Sequence, residues 1–393
     1  MRPPQTNSRA VLTLGLALAL VVGACSGREP EVFTDGDFYA PPDPLPGGDH
    51  GTLIRYQEIS PSVIDGASSY RVMYRSESLQ GDPVAVTGTV LVPTGDPPDK
   101  AAGRPLLTIA HGTTGVADDC APSKDPGSEL LLMGGAIESG WLVAQTDYEG
   151  LGTPGRHPYL VGESEGRSTI DAVLAAAQLP GADAGDRLAI AGYSQGGHGA
   201  LWANQVAPEW APDLEVVGTF AGAPATEMNA ILAAAPAGFE LMVVAGFGAA
   251  YPEADPATIL TPQGVEKLAA VDEGCTGAVF EAVSGIPRDQ LVRAGAAGTD
   301  PWARLAEENN PGTVKTDDPI LIIHSEADAT VPVALSGLLL DRMCGLGQVV
   351  ERRVLTDGKD HGAAAPGAYA QGLAWLEERF AGTSTPVSSC PTG

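Results

Sequence analysis

From residue 105 onward the chain repeats one pattern: a short apolar run closed by Gly, Pro or Asp, followed in several cases by helical periodicity. Pro105–Ala110, Trp141–Thr146, Arg187–Gly192, Val216–Ala221 and Pro319–His324 are such runs, and Val349–Leu355 reads as the last strand. Runs this short and without polar alternation suit strands buried on both faces of a mainly parallel sheet. Helical patterns at Ser168–Leu179, His198–Val206, Ala334–Met343 and Ala368–Phe380 lie between or after them. Strand and helix in alternation predict an α/β fold, a mainly parallel sheet flanked by helices. Upstream, Tyr70–Arg75 and Val84–Val92 flank a Gly-Asp-Pro turn and predict an antiparallel hairpin. Between Ala221 and Pro319 the rhythm breaks. Helix-like segments there (Met228–Ala235, Phe239–Ala249, Thr261–Val271) come with no clear strand. This interval reads as an inserted helical cap over the carboxyl edge of the sheet, where α/β folds bind ligands.

Composition narrows the function. With Asp+Glu 49 against Lys+Arg 22 among 393 residues, the net charge of −27 excludes the basic face that nucleic-acid binding needs. It also disfavours electrostatic docking on anionic lipid. At the amino terminus Arg2 and Arg9 precede an apolar run, Ala10–Ala24, too short for a spanning helix and of the length of a signal-peptide core. It ends in Val22-Gly23-Ala24-Cys25, which resembles a bacterial lipobox, so residues 1–24 are expected to be cleaved and Cys25 lipidated. Loss of Arg2 and Arg9 takes the charge to −29. Residues 25–50, rich in Gly, Pro and Asp, are expected to form a flexible tether. Cys120, Cys275, Cys344 and Cys390 remain, and in an exported chain they favour two disulfides with three connectivities open. No metal-ligand spacing accompanies them, and neither a metal nor a cofactor is expected.

Gly192-Tyr193-Ser194-Gln195-Gly196 matches G-x-S-x-G and sits between an apolar strand, Leu188–Ala191, and a helix. On that sharp turn the serine hydroxyl stands clear of the sheet, while the Gln195 N–H and the helix dipole face any developing oxyanion. A serine needs a base, and the base an orienting acid, which in α/β-hydrolases follow in the order Ser, acid, His. Asp328, just past the strand Ile320–His324, is the expected acid, with Glu326 as rival; Asp317 and Asp318 lie at the wrong end of that strand. The single histidine after Asp328 is His361, the expected base. His198 reads as structural, His324 as core, His50 as part of the tether and His157 as a loop residue. His111-Gly112-Thr113-Thr114-Gly115 follows the strand Leu106–Ala110 and supplies a second oxyanion N–H, from Thr113 or alternatively Gly112.

With these residues the sequence resembles the secretory lipases, an α/β-hydrolase family. The matching residues are Asp119-Cys120-Ala121-Pro122-Ser123, Asp147-Tyr148-Glu149-Gly150, Gly192–Gly197, Gly274-Cys275, Asp328–Pro332, His361 and Cys390. The resemblance implies a Ser194–Asp328–His361 triad, ester hydrolysis through an acyl-enzyme, and a cap that shapes an acyl pocket. It further implies the pairings Cys120–Cys275 and Cys344–Cys390. The expected organisation is a hydrolase core over 51–222 and 317–393, interrupted by the cap at 223–316. The expected substrate is a lipid or small ester with an apolar acyl group, with membrane contact only through the amino-terminal lipid and no obligate protein or nucleic-acid partner. The expected location is the outer face of a bacterial cytoplasmic membrane, or the medium. An acyltransferase or peptidase on the same fold, and a non-catalytic surface lipoprotein, are the alternatives.

Overall fold

The structure, a computed structural model, describes residues 29–127 and 129–391. The expected signal segment and Cys25 lie outside the described residues. Ten strands form one sheet: β1 (Glu31–Val32), β2 (Leu53–Ile59), β3 (Ala67–Glu77), β4 (Pro83–Pro93), β5 (Arg104–Ala110), β6 (Leu142–Thr146), β7 (Ala184–Tyr193), β8 (Glu215–Gly222), β9 (Ile320–Ser325) and β10 (Val350–Leu355). Their spatial order is β1-β2-β3-β4-β6-β5-β7-β8-β9-β10. From β6 to β10 every neighbour is parallel, whereas β2, β3, β4 and β6 pair antiparallel. The expected hairpin is β3–β4, with Tyr70 opposite Val90.

Strand alternation divides the core into two layers. Leu106, Leu142, Leu188 and Ile190 face the helices Gly162–Ala176 and Gln195–Trp210, where Ile170, Val173 and Ala203 meet them. Their chain neighbours Leu107, Val143, Ala189 and Ala191 point to the other face, under Tyr369, Trp375 and Leu376 of the helix His361–Ala381. Such two-sided burial is why these strands read as unbroken apolar runs.

Residues 223–316 contain helices and no strand, and they supply most of one apolar cluster, which Val116, Tyr159, Leu160 and Val161 join from outside the segment. The helix Ala237–Ala250 buries Leu241, Met242, Val243, Val244 and Phe247 around its whole circumference. The helix expected over Thr261–Val271 is instead two short ones, Pro262–Lys267 and Ala270–Glu273. Two disulfides have the pairings that the resemblance implies, Cys120–Cys275 and Cys344–Cys390. The first ties the 223–316 segment to the loop after β5, where Gly115 also forms a bridge with Cys275.

The tether is a correction. Residues 31–50 are docked on the sheet: β1 pairs with β2, and Phe33 and Phe38 are 9% and 4% exposed. The guanidinium of Arg55 lies 4.6 Å from the Phe33 ring centre and donates to the carbonyl of Phe38 at 2.6 Å. Farther on, His50 stacks on Trp210 at 4.0 Å and bonds Asp171 at 2.6 Å. Composition hides this, because three aromatics, Phe33, Phe38 and Tyr39, and one histidine hold a segment that is rich in Gly, Pro and Asp.

Candidate active site

Ser194 joins β7 to the helix Gln195–Trp210 with φ 62 and ψ −120, a backbone region that L residues rarely occupy. The flanking glycines explain how the turn closes. A Cβ on Gly192 would stand 2.0 Å from the Gly196 carbonyl oxygen, and one on Gly196 would stand 2.0 Å from that of Ala110. Ser194 N–H donates to the Gly222 carbonyl at 2.9 Å, which ties the turn to β8.

Asp328 and His361 arrive from separate loops beyond β9 and β10. The Asp328 side chain is fixed by its own turn, accepting from the N–H groups of Thr330 at 2.9 Å and Val331 at 2.8 Å. His361 opens the last helix. Asp360 caps that helix by accepting from Ala363 N–H, and the Tyr193 hydroxyl donates to the His361 carbonyl at 2.7 Å. The result is a continuous chain: Ser194 Oγ lies 2.8 Å from His361 Nε2, and His361 Nδ1 lies 2.6 Å from Asp328 Oδ2. With Nδ1–H directed at the carboxylate, Nε2 is left to accept the serine proton. Glu326, the rival acid, is exposed. Asp318 bonds Asn204 at the opposite end of β9.

Burial alone would raise the Asp328 carboxyl. Hydrogen bonds from His324 and His361, the His361 charge and the Val331 N–H overcome it and hold the group below the ordinary carboxylate range. His324, expected as core, is buried, and its Nε2 also reaches Asp328 Oδ2 at 3.2 Å and the Val331 carbonyl at 2.9 Å. Sequence reasoning missed that second role because a strand histidine in an apolar run carries no other signal.

The N–H groups of Thr113 and Gln195 have no hydrogen-bond acceptor among the described residues, whereas that of Gly112 faces the Glu129 carboxyl at 3.2 and 3.3 Å. Gln195 is held from behind: its amide donates to Glu165 at 2.8 Å and to His157 Nε2 at 2.9 Å. Burial lowers His157 to about 4, so its ring stays neutral and accepts there. His198 bonds the same Glu165 at 2.6 Å and the Asn309 carbonyl at 2.9 Å. Its expected structural placement holds.

A narrow cleft opens beside Ser194, walled by Ile231, Ala235, Phe239 and Val243 from the 223–316 segment and by Leu160 and Val331 from the core. Polar groups at its inner end are Thr113, whose hydroxyl bonds the Tyr159 hydroxyl at 2.8 Å, and Gln195. A larger polar hollow bounded by Asp96, Lys100 and Asp183 lies at the amino-terminal ends of β5 and β7, remote from this chemistry.

Comparison with known proteins agrees with this picture. The family model for secretory lipases matches residues 124–388. Lipase A of Arthroderma benhamiae is 26% identical over 91% of this chain and 82% of its own. A protein of Mycobacterium tuberculosis named a probable inactive lipase is 25% identical over 89% of this chain and 82% of its own. Among solved structures, Candida antarctica lipase A superposes with a TM-score of 0.75 at 21% identity, over 91% of this chain and 89% of that one. That likeness is one of fold.

Proposed function

The chain belongs to the secretory lipase family, a carboxylic ester hydrolase of lipase type, and from that premise we propose that it cleaves acylglycerols and similar esters of an apolar acid through an acyl-enzyme on Ser194. One relative is named as inactive, so membership alone does not carry catalysis. The observation that carries it is the unbroken hydrogen-bonded chain Ser194–His361–Asp328.

In this reading Ser194 Oγ attacks the ester carbonyl carbon while its proton passes to His361 Nε2. The imidazolium is stabilised by the Asp328 carboxylate. Negative charge gathers on the carbonyl oxygen, and the N–H groups of Thr113 and Gln195 receive it; one such donor is worth about 3 to 4 kcal/mol in comparable enzymes. Collapse expels the alcohol with the Nε2 proton, and water then repeats the sequence in reverse on the acyl-enzyme. The segment 223–316 serves as the cap, and its Ile231, Phe239 and Val243 wall takes the acyl group.

Membrane tethering through a lipidated Cys25 is the finer part of the proposal, supported by the Val22-Gly23-Ala24-Cys25 sequence. Cys25→Ser is expected to move the protein from membrane to soluble fraction at unchanged specific activity. Retention on the membrane would point to an uncleaved amino terminus.

The direct test is labelling by a fluorophosphonate, with turnover of p-nitrophenyl esters from two to sixteen carbons and of emulsified triglyceride. Wild type is expected to label once per chain and hydrolyse esters, and Ser194→Ala to do neither while remaining folded. A folded wild type that neither labels nor turns over esters is the non-catalytic lipoprotein. Transfer of the acyl group to an added alcohol in preference to water is the acyltransferase.

A further inference from the structure

Glu129 has no part in the mechanism above, yet its carboxyl lies against the oxyanion turn. Both of its oxygens face the Gly112 N–H, at 3.2 and 3.3 Å. A Cβ built on Gly112 would be 3.2 Å from Glu129 Oε1, 3.3 Å from the Tyr193 carbonyl oxygen and 4.0 Å from Ser194 Cβ. The carboxyl, the glycine and the serine turn are therefore in one packed group, in which even a Cβ on Gly112 would be tight. No lysine, arginine or histidine pairs with Glu129 among the described residues.

We propose that Glu129 is a positioning residue of the oxyanion turn: its carboxyl takes up the Gly112 N–H, orients that peptide, and leaves the next N–H, of Thr113, for the substrate oxygen. The inference rests on Ser194 acting as nucleophile. Its charge state follows from its setting. A carboxylate here, with no cation paired to it, would put a full negative charge beside the site where the oxyanion forms and would oppose the reaction. The residue as a whole is only partly buried, but burial of its carboxyl end pushes it up to about 8, against the Gly112 hydrogen bond. The titratable groups that feel it are the phenols of Tyr148 and Tyr369, both kept neutral chiefly by burial, and the Tyr193 phenol, beside Tyr369, is likewise raised. Asp125 on its own loop is exposed. The working form of Glu129 is thus the neutral acid, and its ionisation is an alkaline limit on catalysis.

Glu129→Ala and Glu129→Gln test this. Loss of the acceptor in Glu129→Ala is expected to lower kcat by ~10-fold or more with KM within ~3-fold. Glu129→Gln keeps an acceptor oxygen and is expected to recover most of that loss. Wild-type kcat/KM should fall above pH about 8, and that limb should move beyond pH 9 in Glu129→Gln. Wild-type kcat in a folded Glu129→Ala, or an unshifted limb in Glu129→Gln, overturns the proposal. Should Glu129→Ala fail to fold, the Glu129→Gln profile decides alone.

Stability gives a readout independent of turnover. An acid raised by folding loses stability as pH climbs from its unfolded value of 4.5 towards 8. The Tm of Glu129→Gln should therefore gain on wild type between pH 5 and 8. Parallel Tm curves would overturn the neutral acid. Gaining Tm curves in a protein that never labels at Ser194 would instead place the failure in the ester-hydrolase reading.

Discussion

At Asp328, burial opposes ionisation and four hydrogen bonds favour it: two from histidine rings and two from the N–H groups of its own turn. Its charge is therefore held by groups that also fix its direction towards His361. An amide in its place can keep the packing but favours the wrong His361 tautomer, a change that costs ~10⁴ in turnover in a serine protease. Asp328→Asn should lower kcat by at least ~10²-fold, and Glu326→Gln, exposed on the same loop, by less than ~10-fold at matched folded fraction. Comparable losses in both would move the acid to another strand. The chain order Ser, acid, His and the elbow glycines made these three residues readable before any geometry. His324, Glu165 and Glu129 were not readable. Each acts through side-chain hydrogen bonds that only the folded geometry reveals, and its local sequence matches that of an ordinary core or loop residue.

Helix boundaries were readable where apolar periodicity sets them and missed where close approach does. The helix expected from Ser168 begins at Gly162. Gly162 and Gly166 weaken the local helix signal, but a Cβ on Gly162 would fall 1.9 Å from the Trp202 ring, and one on Gly166 would fall 2.8 Å from the Trp202 backbone. These glycines let two helices meet at backbone distance on the face of the sheet that carries the Ser194 turn. Gly162→Ala should cost about 1–3 kcal/mol by overpacking, despite the better helix propensity of alanine, read as a lower urea midpoint at unchanged slope. A gain in stability would mean that Trp202 swings aside freely. Likewise the last helix begins at His361, upstream of the Ala368 where the pattern starts, because Pro366 and Gly367 interrupt the periodicity while Asp360 supplies the cap. The Cys344–Cys390 bond fastens the chain end beside β10, away from Ser194, and closes a loop of sequence separation 46. Replacing both cysteines by serine should cost roughly 4 kcal/mol on the chain-entropy estimate and leave kcat at its wild-type value. A comparable fall in kcat would show that β10 and the His361 loop are coupled.

Over the whole molecule, docking of residues 31–50 changes what an amino-terminal lipid would do. Only the residues between Cys25 and Glu31 separate the proposed anchor from β1, a reach of at most ~20 Å at about 3.3–3.6 Å per residue. A lipidated chain would be held with its β1 edge near the bilayer, rather than ranging on a long stalk. The far end of the docked segment is His50, clasped by Asp171, which also accepts from Ser76 at 2.6 Å and Trp210 at 2.9 Å. The hydrogen bond to Asp171 raises His50 against the opposing effect of burial, while burial raises Asp171 in spite of its three donors. The direction that matters is that of His50, because the carboxylate beside it favours the imidazolium. A histidine raised by folding stabilises the fold fully below its unfolded pKa and ceases to do so as pH rises through the folded value. On the acid side the clasp ends when Asp171 takes up a proton, at a higher pH than for an ordinary carboxylate. His50→Ala should therefore lower Tm more at pH 6 than at pH 9, and should speed proteolysis within residues 31–50 at pH 6, with kcat unaffected. Equal Tm losses at both pH values would reduce His50 to a stacking contact on Trp210, and unchanged proteolysis would leave the hold on the segment to β1 and to the contacts of Phe33, Phe38, Tyr39 and Arg55.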